Sequence, residues 1–135
     1  MKQILLLSML SSFAIMAYGQ TPEELAQAQL DAYNNRDLEA FLEPYSDTVK
    51  IYNFPKVLSM EGKDAMRERY GSMFRNMTDL NCELINRMVS GNTVIDQESV
   101  LFEKGKPRMQ AFAIYKVEHQ KIQEVYFILP EQAEE

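Results

Sequence analysis

The chain has 135 residues, 46% of them hydrophobic and 25% charged, with a net charge of −6 and a pI of about 4.9. This length suits one domain with a real core, and the acidic balance argues against a nucleic-acid partner, because phosphates require a basic footprint. The densest basic cluster, Lys104, Lys106 and Arg108, falls in an expected turn and not along a stripe.

Met1–Gly19 reads as an export signal. Lys2 supplies the positive charge, Ile4–Ala17 is mostly apolar, and Ala17-Tyr18-Gly19 is a small-x-small cleavage site. The apolar run falls short of the ~20 residues of a membrane span. Gln20 would begin a mature protein that is periplasmic or secreted and carries no membrane anchor.

Thr21-Pro22-Glu23-Glu24 opens a helix: Thr21 caps it, Pro22 takes the first helical position and Glu24 completes a capping box. Leu25, Ala28, Ala32 and Tyr33 mark its buried face, with Leu30 beside them. Asn34-Asn35-Arg36 breaks it. Asp37 caps a short second helix carrying Leu38, Phe41 and Leu42, which ends at Pro44. A strand, Val49–Phe54, stops at Pro55, and Val57–Met60 is a short partner for it. Gly62 turns the chain into a third helix over about Lys63–Phe74, with Met66, Tyr70, Met73 and Phe74 inward.

Four strands follow in a meander: Leu80–Ser90, Thr93–Lys104, Pro107–Glu118 and Lys121–Leu129. Gly91-Asn92, Lys104-Gly105-Lys106 and His119-Gln120 are the hairpin loops. The polar tail Pro130–Glu135 is expected to fray. Three helices in the N-terminal half, packed on a mostly antiparallel sheet, define an α+β domain. Sheet twist should leave a concavity beneath the helices.

Cys82 is the single cysteine and His119 the single histidine, the latter in a hairpin turn. No intramolecular disulfide, Cys/His metal cluster or His-dependent catalytic dyad is expected, and no metal or other cofactor is called for. Cys82 reads as a small buried hydrophobe.

The chemistry-bearing stretch is Asn92–Phe102. Val94, Asp96, Glu98, Val100 and Phe102 share one strand face; Ile95, Gln97, Ser99 and Leu101 share the other. Two carboxylates on an apolar face would shift each other's pKa, leaving one as a base and the other as a neutral donor. The alternative is structural: an exposed face, or pairing with Arg87 or Arg108 on a neighbouring strand. Tyr52, Tyr70 and Tyr115 fall in elements that would surround a concavity, where a phenol can stack on a flat ligand or bond a carbonyl. The alternative is that they are ordinary core aromatics whose hydroxyls reach the surface. Asn53 either orients a ligand or holds the turn before Pro55. The methionines are core filling.

The chain resembles the nuclear transport factor 2-like superfamily, with its cone-shaped α+β fold, and within it the SnoaL-like and ketosteroid-isomerase-like branch. The residues that carry the likeness are Leu30–Leu42 (LDAYNNRDLEAFL), Tyr45–Pro55 (YSDTVKIYNFP), Glu61–Tyr70 (EGKDAMRERY) and Ala113–Val125 (AIYKVEHQKIQEV). The resemblance implies an apolar pocket inside the cone. Members are isomerases, cyclases, dehydratases, binding modules or dimerisation domains. A gapless match places Asn53 where isomerase members hold their aspartate base. It places Gln29 and Ala113 where they hold an oxyanion-binding tyrosine and aspartic acid, so that triad is not carried over.

Two functions follow as expectations. One is an exported domain binding a small, largely apolar ligand, with proton transfer beside a carbonyl by Asp96 or Glu98 and with Tyr52, Tyr70, Tyr115 and Asn53 against the ligand. The other is a non-catalytic binding or dimerisation domain, in which Phe112, Ile114, Tyr126 and Ile128 would meet a second copy.

Overall fold

The computed structural model describes residues 18–130. The expected signal segment lies almost wholly outside these residues, as does the tail after Pro130. Among the described residues no helix is long and apolar enough to cross a membrane.

Helices α1 (Pro22–Asn35) and α2 (Leu38–Leu42) come first. The capping box on α1 is present: the Thr21 N–H donates to Glu24 Oε2 at 2.8 Å, and the Glu24 N–H donates to Thr21 Oγ1 at 3.2 Å. Arg36 ends the helix in the left-handed conformation, φ 52°. Asp37 caps α2 by accepting from the Ala40 N–H at 3.1 Å.

Strands β1 (Tyr45–Asn53) and β2 (Val57–Glu61) precede helix α3 (Lys63–Asn76). Strands β3 (Asn81–Ser90), β4 (Thr93–Leu101), β5 (Met109–Glu118) and β6 (Lys121–Ile128) complete the chain. The first strand begins four residues earlier than its apolar alternation predicts, which brings Tyr45 into the sheet. The loop between β4 and β5 is also longer than its Lys-Gly-Lys tip indicates, running from Phe102 to Arg108.

The six strands form one sheet in the order β2-β1-β6-β5-β4-β3. Each neighbouring pair is antiparallel except β1 and β6, which run parallel where the end of the chain returns beside its first strand. All three helices pack on one face. Their apolar stripes and the inward residues of β1, β4, β5 and β6 make the core, including Leu25, Phe41, Leu42, Met66, Val94, Ile122 and Val125. The Asn34 side chain locks α1 to the β3 edge. Its Nδ2 donates to the Cys82 carbonyl at 2.8 Å, and its Oδ1 accepts from the Cys82 N–H at 2.7 Å, as a neighbouring strand would.

One irregularity decides where charge enters the core. Strand β3 carries a one-residue bulge: Leu84 pairs with Glu98, but Asn86 pairs with Gln97 and Arg87 with Asp96. Unbroken alternation through Cys82, Leu84 and Asn86 would have set Asn86 against Asp96. The extra residue, Ile85, flips the rest of the strand, so Arg87 points inward.

Candidate functional site

The face Val94–Asp96–Glu98–Val100 is the buried one: Asp96 is 0% exposed and Glu98 6%. The two carboxylates have separate surroundings. Asp96 lies opposite Arg87 and forms a two-pronged ion pair with it, Nε to Oδ1 and Nη2 to Oδ2, both 2.7 Å. Arg87 Nη1 also donates to Gln27 Oε1 on α1 at 2.8 Å. With its charge matched in this way, Asp96 is not among the residues that line the cavity.

Glu98 faces a cavity of about 230 Å³ between the sheet and the helices. Ala111, directly opposite Glu98 on β5, has a small side chain that leaves room for the cavity, and Leu84 pairs with Glu98 from β3. Tyr33, Phe41, Tyr45, Tyr70, Phe127 and Val100 supply much of the apolar and aromatic wall. The ring of Phe41 sits 4.6 Å from that of Tyr70, 5.4 Å from Tyr45 and 5.5 Å from Phe74, centroid to centroid. Asn53, Ser59, Arg69 and Leu129 line the cavity while remaining exposed, so they form its open end.

A directional hydrogen-bond chain runs to Glu98. The Tyr45 O–H donates to Gln29 Oε1 at 3.1 Å, Gln29 Nε2 donates to the Tyr115 oxygen at 3.0 Å, and the Tyr115 O–H donates to Glu98 Oε1 at 3.1 Å. Gln29 Nε2 gives its second proton to the Ala26 carbonyl at 3.0 Å. Both protons of the Gln29 amide and the single proton of the Tyr115 hydroxyl are thereby committed. Glu98 is the polar end of this chain.

Burial pushes the Glu98 carboxyl up to about 7, and the nearby Asp96 charge adds to the push; the bond from Tyr115, the Arg87 charge and the Cys82 thiol act against it. Glu98 therefore changes charge near neutral pH. Burial raises the Tyr70 phenol to about 12, so it stays a proton-bearing donor. Burial also holds the Cys82 thiol well above its ordinary value, which keeps this cavity-lining cysteine un-ionised. Among the described residues, no group of acidic, His or Cys side chains has the arrangement of a metal site.

Of the residues singled out from sequence, Glu98, Tyr70, Tyr115 and Asn53 line this cavity and Asp96 and Tyr52 do not. Tyr52 requires correction as a ligand residue. It alternates with Ile51 and points to the opposite face of the sheet, where it stacks on Tyr126 at 4.9 Å with rings 12° apart. Tyr115 is present but committed within the hydrogen-bond chain. Gln29, first noted as a departure from the isomerase pattern, is the centre of that chain. Tyr33, Tyr45 and Arg69 were not assigned to the cavity from sequence. Tyr33 and Tyr45 read from sequence as helix and turn aromatics, and the one trace Arg69 leaves there is that no acidic residue lies three or four positions from it on the helix.

The sequence profile of the SnoaL-like domain matches residues 26–125. No curated protein matches the chain in sequence. Among solved structures, a cystatin-fold protein from Novosphingobium aromaticivorans superposes with a TM-score of 0.74 at 25% identity, over 82% of this chain and 99% of that one. A candidate ketosteroid isomerase from Kribbella flavida gives 0.71 at 15% identity, over 87% and 83% of the two chains. A candidate polyketide cyclase from Sinorhizobium meliloti gives 0.65 at 12% identity, over 76% and 92%. These likenesses match the order of elements and the mixed sheet described above, the nuclear transport factor 2-like arrangement. With the profile covering most of its length, the chain belongs to the SnoaL-like family.

Proposed function

We propose that this protein is an exported domain that binds a small, largely apolar molecule in the cavity and moves a proton beside its carbonyl group. The observation that carries the reading is one buried carboxyl, Glu98, poised near neutral pH on an otherwise aromatic and aliphatic wall. A base with a pKa near the working pH combines a useful ionised fraction with useful driving force. Glu98 takes a proton from the carbon next to the carbonyl. The electron pair moves to the carbonyl oxygen, and Glu98 returns the proton to the same or a conjugated carbon. Tyr70 and Tyr33 line the cavity and donate no hydrogen bond to another described residue, so their hydroxyls are available to the developing oxyanion. The step needs no cofactor. Asp96 serves by charge, helping to keep Glu98 basic.

The cavity volume narrows the ligand. At about 230 Å³ it lies below the ~300–1,000 Å³ of drug-sized pockets, which favours a compact ketone over a sterol. Export rests on the composition of Met1–Gly19. The test is deuterium exchange at the α-carbon of small aryl ketones in D₂O, followed by NMR. The protein should accelerate exchange, and Glu98→Gln should remove the acceleration. Equal rates with the variant would sink the assignment.

A second reading, a dimerisation domain, is favoured by the outer face of the sheet. Leu58, Tyr52, Tyr126, Ile114, Ile95 and Met88 lie in cross-strand register there, one from each strand. We propose that this row packs against a second copy. The two readings use opposite faces and are compatible.

A further inference from the structure

We propose that the open end of the cavity is an anion subsite built on Arg69, and that the natural ligand is a small apolar carboxylic acid. This rests on the cavity being a ligand pocket, and it adds the substrate's charge and orientation.

Arg69 is exposed, yet its side chain lines the cavity. Its charge is unclaimed. Helix neighbours three and four residues away are Ala65, Met66, Ser72 and Met73, none of them acidic, so no intrahelical pair can form. Among the described residues Arg69 makes neither an ion pair nor a hydrogen bond, although Arg67 on the same helix pairs with Glu39 and Lys63 with Asp47. The groups that share the open end with it are neutral: Asn53, Ser59 and Leu129. On a chain of net charge −6, an unpaired guanidinium at the mouth of an apolar cavity is a local attractor for an anion. Its planar fork fits a carboxylate.

The inner end does the reverse. Asp96 and Glu98 both lie on the buried face of β4, so negative charge is disfavoured there. A ligand with one carboxylate therefore has one favourable orientation: charged group at Arg69, apolar body against the aromatic wall, and uncharged carbonyl toward Glu98. This polarity brings a carbonyl of the acid, and not its carboxylate, to the base.

The probe pair is 4-oxo-4-phenylbutanoic acid and its primary amide, nearly equal in shape and differing in charge. Calorimetric titration at pH 7.5 in low salt should give about tenfold tighter binding for the acid, consistent with a charge-assisted bond. Arg69→Gln should bring the two affinities together by weakening the acid far more than the amide, and an unchanged circular dichroism spectrum shows that the variant is folded. Arg69→Lys should keep part of the preference. Equal affinities in the unmodified protein, or a preference that survives Arg69→Gln, would overturn the subsite and leave the pocket standing. Failure of both compounds to bind would overturn the subsite together with the pocket reading.

Discussion

Glu98 illustrates how much environment a single residue type can absorb. In water its carboxyl would ionise near 4.5, but in the cavity burial and the Asp96 charge carry it to about 7. Its folded pKa is thus above its unfolded one, and between those values the folded state holds a proton that the unfolded state has lost. Stability from this group is fully present below pH ~4.5, is lost as pH rises through ~7, and the total is on the order of 3 kcal/mol. Glu98→Gln cannot titrate, so urea unfolding of the two proteins should diverge with pH. From pH 5 to 8 the variant should gain on the order of 2–3 kcal/mol relative to the parent. Parallel profiles would mean that Glu98 ionises at its ordinary value. The sequence exposed both carboxylates of Asp96-Gln97-Glu98 and their common face. It did not reveal which one meets the cavity, because that depends on which residue of the next strand stands opposite.

At the scale of elements, periodicity carried most of the reading. Alternation along β4 placed Val94, Asp96, Glu98 and Val100 on one side, and all are buried. Alternation along β3 failed at Ile85, since a bulge is a property of strand pairing and leaves little trace in composition. Arg87 entered the core by that route. Tyr52 shows the complementary limit, for alternation separates it from Ile51 without saying which side the helices cover. The outer face it occupies leaves Met88 57% and Leu58 50% exposed at the two ends of the cross-sheet row, and Phe112 41% exposed beside it. Between these exposed ends Ile95, Ile114 and Tyr126 are half-buried and Tyr52 is buried, so the row offers apolar side chains that a second copy would cover. The protein should sediment as a dimer at micromolar concentration, and Ile114→Lys, which places a charge mid-row, should yield monomers with an unchanged circular dichroism spectrum. A parent protein that is monomeric at every concentration would remove the dimer.

For the whole molecule, the order of elements was legible because caps, breakers and hairpin loops punctuate the chain: Thr21, Asp37, Pro55, Gly62, Gly91 and His119. The parallel return of β6 beside β1 joins residues some seventy positions apart, and local pattern is silent about it. The cavity depends on that return, for it brings Phe127 and Leu129 to the same wall as Asn53 and Tyr45. Its lining was therefore only partly readable, with Glu98, Tyr70, Tyr115 and Asn53 found and Tyr33, Tyr45 and Arg69 added by the fold. The central claim is that this space receives a small apolar ligand. A thermal melt against a panel of compact aryl ketones and apolar acids tests it most directly. A ligand at 100 times its dissociation constant adds ~2.7 kcal/mol, an upward shift of several degrees for a domain of this size. A shift given by compact compounds and not by sterols is the predicted result; a melting temperature that stays fixed across the panel at millimolar concentration would contradict the account.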